Sequence, residues 1–174
     1  MAATLYDISV GNYLQTLDAA SVFLQKGLEH CTSNGIDLDE LVEAQLYSDM
    51  LPFRFQVACV VHHSRRVIDM MASGIFSLPG DRGPRDYRAL QELVADAQKI
   101  LKKLTPADIN KFEGTDMAYQ QGSLTLPFKI EDFILSFSLP QFYFHAATAY
   151  DILRMKGVPV GKRDFLGQLR LKSA

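Results

Sequence analysis

The chain predicts an all-α fold, an up-and-down bundle of four long amphipathic helices with short extra helices and an irregular excursion before the last one. Three observations predict it. Apolar residues recur at the 3.6-residue helical period over four separate stretches. Glycine, proline and capping residues punctuate the places where those stretches begin and end. Strand-like alternation is confined to a brief run around Ser123 to Phe128.

The first long helix runs from Leu5 to about Thr32, its stripe carried by Tyr6, Val10, Tyr13, Leu14, Leu17, Val22, Phe23 and Leu28, and Asn34-Gly35 stops it. Asp37-Leu38-Asp39-Glu40 has capping-box spacing, which predicts a short helix from Leu38 to Leu46. Pro52 opens a second long helix to about Ala72, because a missing N–H costs nothing in a first turn. The interval Gly74 to Arg85 holds three glycines and two prolines and reads as a loop. Asp86 caps a third helix, whose Tyr87, Leu90, Leu93, Val94, Ala97, Ile100, Leu101 and Leu104 fit the helical period best of all.

Thr105-Pro106 starts a further short helix, and residues 110–128 lose helical period in an excursion that includes a short hairpin. Glu131 to Phe137 supplies one or two helical turns leading into the last long helix, which Pro140 opens and Gly157 ends. No repeat or low-complexity linker divides the chain, so its 174 residues read as one domain, 1–174.

Composition narrows the function classes. Apolar residues at 48% and charged residues at 22% are the balance of a globular domain, and a net charge of −2 offers no broad field for nucleic acid or anionic membrane. The basic residues Arg82, Arg85 and Arg88 are mixed with Asp81 and Asp86, against a nucleic-acid surface. No apolar run reaches the roughly 18 residues of a membrane span, and the N-terminus lacks a secretory layout, so a soluble cytoplasmic protein is expected. Cys31 and Cys59 belong to no disulfide framework and read as reduced thiols. There is no phosphate-cradling glycine loop, dinucleotide fingerprint or serine nucleophile elbow.

Two groups of motifs carry a family resemblance. The first is Ser48-Asp49-Met50 with Pro52 and Gln56. The second is Phe142-Tyr143-Phe144-His145, Thr148-Ala149-Tyr150, Ile152-Leu153-Arg154, Gly157-Val158-Pro159 and the run Gly161 to Gly167. With them the chain resembles, over nearly its whole length, an uncharacterised bacterial and fungal family in the DinB-like helical-bundle superfamily of metalloenzymes. The resemblance implies a DinB-like four-helix bundle that pairs into a homodimer. In metal-binding members it also implies one histidine on the second helix and two histidines four residues apart on the last. His145 matches the first of that pair, Ala149 holds the second position without a ligand atom, and His63 or His62 matches the second-helix member.

Cys59 lies one turn before His63, so Cys59, His63 and His145 form an alternative three-donor metal set with a position open to water. Against it, an isolated buried cysteine more often acts as a small apolar residue, and no cofactor or metal is expected. Gln56, Val60, His63, Val67 and Met70 follow one line of the second helix, while Phe142, His145, Ala149 and Ile152 follow one line of the last. A satisfied structural histidine is the default for His63 and a solvated one for His62.

Two inward histidines on facing helices also make a polar cluster, and burial keeps such groups neutral. The function expected is therefore a small-molecule-binding bundle, in its most active form a cofactor-independent enzyme of minor metabolism. His63 and His145 would be the acid–base or hydrogen-bonding pair, Gln56 the orienting amide, and Met70, Phe142 and Tyr143 the walls. A metal-dependent transferase or hydrolase of DinB-like type and a non-enzymatic homodimeric interaction module stay open beside it.

Overall fold

The computed structural model describes residues 3–78 and 83–172, and these form a helical bundle with one small sheet. The first helix is broken near its start: α1 (Leu5–Ile8) and α2 (Val10–Asn34) meet at Ser9, whose hydroxyl turns back to the Leu5 carbonyl at 2.5 Å. Such back-bonding competes with the helical ladder and bends it, so the single helix expected from Leu5 is two. Gly35 ends α2 at φ 63°, its N–H reaching the Cys31 carbonyl. Only glycine takes that left-handed conformation without steric cost.

A short α3 (Leu38–Val42) follows, capped by Asp37 but stopping before the expected Leu46. The second column is composite: α4 (Phe53–Val61), a π-helical turn (His62–Arg66) and α5 (Val67–Met70). The third is α6 (Tyr87–Leu101), whose Asp86 side chain accepts the Ala89 N–H at 2.7 Å as its spacing requires. Then comes α7 (Pro106–Asn110), closed by a Thr105–Asp108 capping box. The last column is α8 (Ile130–Phe133), a second π-turn (Ile134–Ser138) and α9 (Leu139–Met155), and a short α10 (Lys162–Leu166) follows.

Helix α2 packs on α6 and α9, and α4 packs on α6 and α9, which closes a four-column ring around one core. Tyr13, Phe23, Phe53, Tyr87, Phe133 and Phe142 lie in that core at 2% exposure or less. No disulfide joins Cys31 and Cys59, both buried.

The fold departs from pure all-α at its sheet. Strands β1 (Ile75–Ser77), β2 (Asp116–Gln121) and β3 (Leu124–Lys129) lie in the order β1-β2-β3. β2 and β3 are the expected hairpin, antiparallel across the two-residue loop Gly122-Ser123, with Gly122 at φ 57°. β1 falls inside the stretch read as loop and pairs parallel with β2, Ile75 opposite Ala118. A strand of three residues is too short to show a period, and its partner lies beyond α6. The rest of the expected loop includes residues 79–82, outside the described residues.

Candidate functional site

The two π-turns meet in the core and shape the site. A π-turn inserts one residue and shifts the phase of the helix, which frees carbonyls and re-aims side chains. In the second column it puts Val61, His62, His63 and Ser64 in succession at 5% exposure or less. Ser64 Oγ donates to the Val60 carbonyl at 2.7 Å, and Ser138 Oγ, from the other π-turn, donates to the His63 carbonyl at 2.8 Å. That uses the only proton of Ser138, so the Tyr13 hydroxyl is the donor in the 2.6 Å bond between Tyr13 Oη and Ser138 Oγ. Burial raises the Tyr13 pKa and holds it in the protonated form this requires.

His63 and His145 come face to face across the bundle, their ring centroids 5.7 Å apart and their planes 15° from parallel. Gln56 joins them from about two turns before His63. Its Oε1 lies 2.7 Å from His145 Nδ1, and its Nε2 donates to the Leu51 carbonyl at 2.7 Å. The carbonyl of Leu51 fixes which way the amide points, and an amide oxygen only accepts, so His145 carries its proton on Nδ1 and its lone pair on Nε2. His145 is thus oriented by a second group, as a general base or hydrogen-bond acceptor must be.

His63 is 2% exposed and its Nδ1 has no hydrogen-bond partner. Burial pushes His63 down to about 3, with the fields of His62 and His145 adding to it, and pushes His145 down to about 4, with His62 adding. Both rings are neutral at pH 7. His62, expected in solvent, is 5% exposed and donates Nε2–H to the Ser77 carbonyl at 2.9 Å. Its pKa is lowered as well, burial outweighing the support of that bond. Both histidines are therefore buried: His62 is satisfied by Ser77, and His63 holds an orphaned nitrogen.

Strand β1 roofs the cluster. The Phe76 ring lies 4.8 Å from His62 and 5.5 Å from His63, and Phe137, from the second π-turn, lies 6.1 Å from His63. Ser77, Phe76, Phe137 and Ser138 escaped sequence reasoning because no local signal marks a π-turn or a three-residue strand.

The remaining site candidates are distributed around this cluster. Phe142 is fully buried, edge-on to Tyr13 at 5.2 Å, a core residue. Tyr143 is 39% exposed on the outer side of α9. Met70 lines a cavity together with His62. The metal that the superfamily implies does not fit these residues. Among the described residues no three His, Cys, Asp or Glu side chains gather to hold an ion, Cys59, His63 and His145 included. Nδ1 of His145 is engaged by Gln56, and Ala149 offers no donor. No helix among the described residues is long and apolar enough to cross a membrane.

Comparison with known proteins agrees with this architecture. A family model described as "Domain of unknown function (DUF1993)" matches residues 5–166. The crystal structure of a DinB family member protein from Shewanella denitrificans superposes with a TM-score of 0.81 at 24% identity, covering 98% of this chain and 96% of that one. No curated protein gives a significant match.

Proposed function

The chain belongs to the DUF1993 family and has a DinB-like fold, and from that premise we propose that it binds a small molecule at the His63–His145 pair. The observation that carries the reading is the orphaned Nδ1 of His63 beside an imidazole already oriented by Gln56. A buried polar atom without a partner costs about 1–3 kcal/mol, and a phenylalanine would occupy the same ring slot without that cost. The nitrogen earns its place if a ligand pairs with it.

In this reading the two neutral imidazoles act as hydrogen-bonding or acid–base groups. His145 Nε2 accepts a proton or hydrogen bond from the ligand, Gln56 holds the ring in the tautomer that allows it, and His63 Nδ1 meets a complementary group. Phe142 supports the last helix from the core, so its contribution is to position His145. The homodimer that the family resemblance implies would pair through the first helix or through the aromatic face of the last, where Phe144 is 55% exposed.

Ligand-observed NMR of the intact protein against a panel of small hydroxy, keto and amide compounds tests the assignment, with His145→Ala and His63→Phe as variants. Hits that vanish in both variants, while circular dichroism shows both folded, support it. Full retention of every hit in folded His63→Phe removes His63 from the site, and retention in His145→Ala removes His145.

A further inference from the structure

We propose that the cavity between the second and third helical columns binds an uncharged hydroxyl compound with an apolar body, its O–H donating to Nδ1 of His62. The cavity holds about 370 Å³, within the size range of small-molecule sites. Ala58, Val61, Met70, Leu78 and Leu93 give it an apolar wall, and His62 lines it beside Ser77. Neither His63 nor His145 is among its described lining residues, so it is separate from the site proposed above.

The acceptor follows from the hydrogen bonds of His62. A carbonyl only accepts, so Nε2 carries the proton in the 2.9 Å bond to Ser77, and the lone pair of the neutral ring is on Nδ1. The Ser77 carbonyl thus fixes both the tautomer and the ring, and no donor among the described residues meets Nδ1. Nor is that nitrogen sealed: the buried side-chain polar atoms left without a partner among the described residues are His63 Nδ1 and Arg65 Nε. His62 is 5% exposed, and what stays open of it faces the cavity it lines.

The surroundings select the charge of the ligand. A carboxylate would meet Nδ1 with a lone pair where a proton is needed. The arginines along the cavity are already engaged, Arg65 and Arg66 with Asp69 and Arg85 with contacts of its own, so none offers a free guanidinium fork. Their positive charge, which reaches His62 from Arg66, disfavours an ammonium donor. A hydroxyl supplies the one proton required, and the hydrocarbon wall favours an apolar body behind it.

Isothermal titration of the intact protein with para-propylphenol, para-propylbenzoate and para-propylbenzylamine tests the site, together with nitrogen NMR of histidine-labelled protein. The phenol is expected to bind most tightly, and its binding to move the Nδ1 resonance of His62 toward the protonated range while those of His63 and His145 stay in place. His62→Phe should weaken the phenol by about threefold to tenfold, the factor of one neutral hydrogen bond. Leu93→Trp, which fills the cavity, should abolish binding, with thermal melts confirming that both variants fold. The NMR readout needs no variant. Tighter binding of the benzoate or the amine, no phenol binding at about 1 mM, a shift at His63 or His145 in place of His62, or undiminished binding by folded Leu93→Trp each overturns the proposal.

Discussion

Lowering the pH from 7.5 to 5.5 should destabilise this protein far more than its surface charges predict. In the unfolded chain a histidine titrates near 6.5, whereas in the folded protein His63 is held down to about 3 and His145 to about 4. Between those values the unfolded state binds protons that the folded state refuses, so stability is complete above about pH 6.5 and is lost as pH falls toward 4. Each histidine contributes a slope of about 1.4 kcal/mol per pH unit in that window. Integrated from pH 7.5 to 5.5, the pair amounts to about 2.7 kcal/mol, an upper value because His145 keeps some contact with solvent. His62, also lowered, acts in the same direction.

That loss is a large share of the roughly 5–15 kcal/mol by which domains are stable. Most carboxylates titrate below this range, so the window isolates the imidazoles. Equilibrium urea unfolding at the two pH values reads it as a midpoint lower by about 1 M or more at pH 5.5. In His63→Phe one of these groups is gone, and the pH-dependent drop should shrink by about 1.4 kcal/mol. A wild-type midpoint that hardly moves between pH 7.5 and 5.5, or a drop in His63→Phe equal to that of the wild type, refutes the buried neutral pair.

Two further outcomes concern the packing that holds the site. Ser138→Ala orphans both the Tyr13 hydroxyl and the His63 carbonyl and should cost about 2–4 kcal/mol, against about 1 kcal/mol for Tyr13→Phe, in the same urea assay; equal costs would show that the serine does not bridge the π-turns. Gly27→Ala would place a methyl group against Tyr87 Oη and within 3.2 Å of Leu153 Cδ2, so α2 and α6 must separate at a cost of about 1–3 kcal/mol. Adding Tyr87→Phe relieves the first clash, and the double variant should be more stable than the sum of the two single changes predicts.

The sequence by itself determined what depends on neighbours along the chain. The Asp86 cap of α6, the Thr105–Asp108 capping box, and the glycine stops Gly35 at φ 63° and Gly157 at φ 84° follow from local hydrogen bonds and steric freedom, and each is where the residues put it. The facing of His63 and His145, with Gln56 beside them, was legible too, since helical spacing places them on inward stripes. Tertiary structure decided the rest, because the stabilising partners are remote. Ile75 becomes a strand through Ala118, and the π-turn at His62–Arg66 is sustained by Ser138, 75 residues from His63. That one inserted residue turned His62 inward to Ser77 and left His63 Nδ1 unpaired, a result set by a change of helical phase that no local pattern encodes.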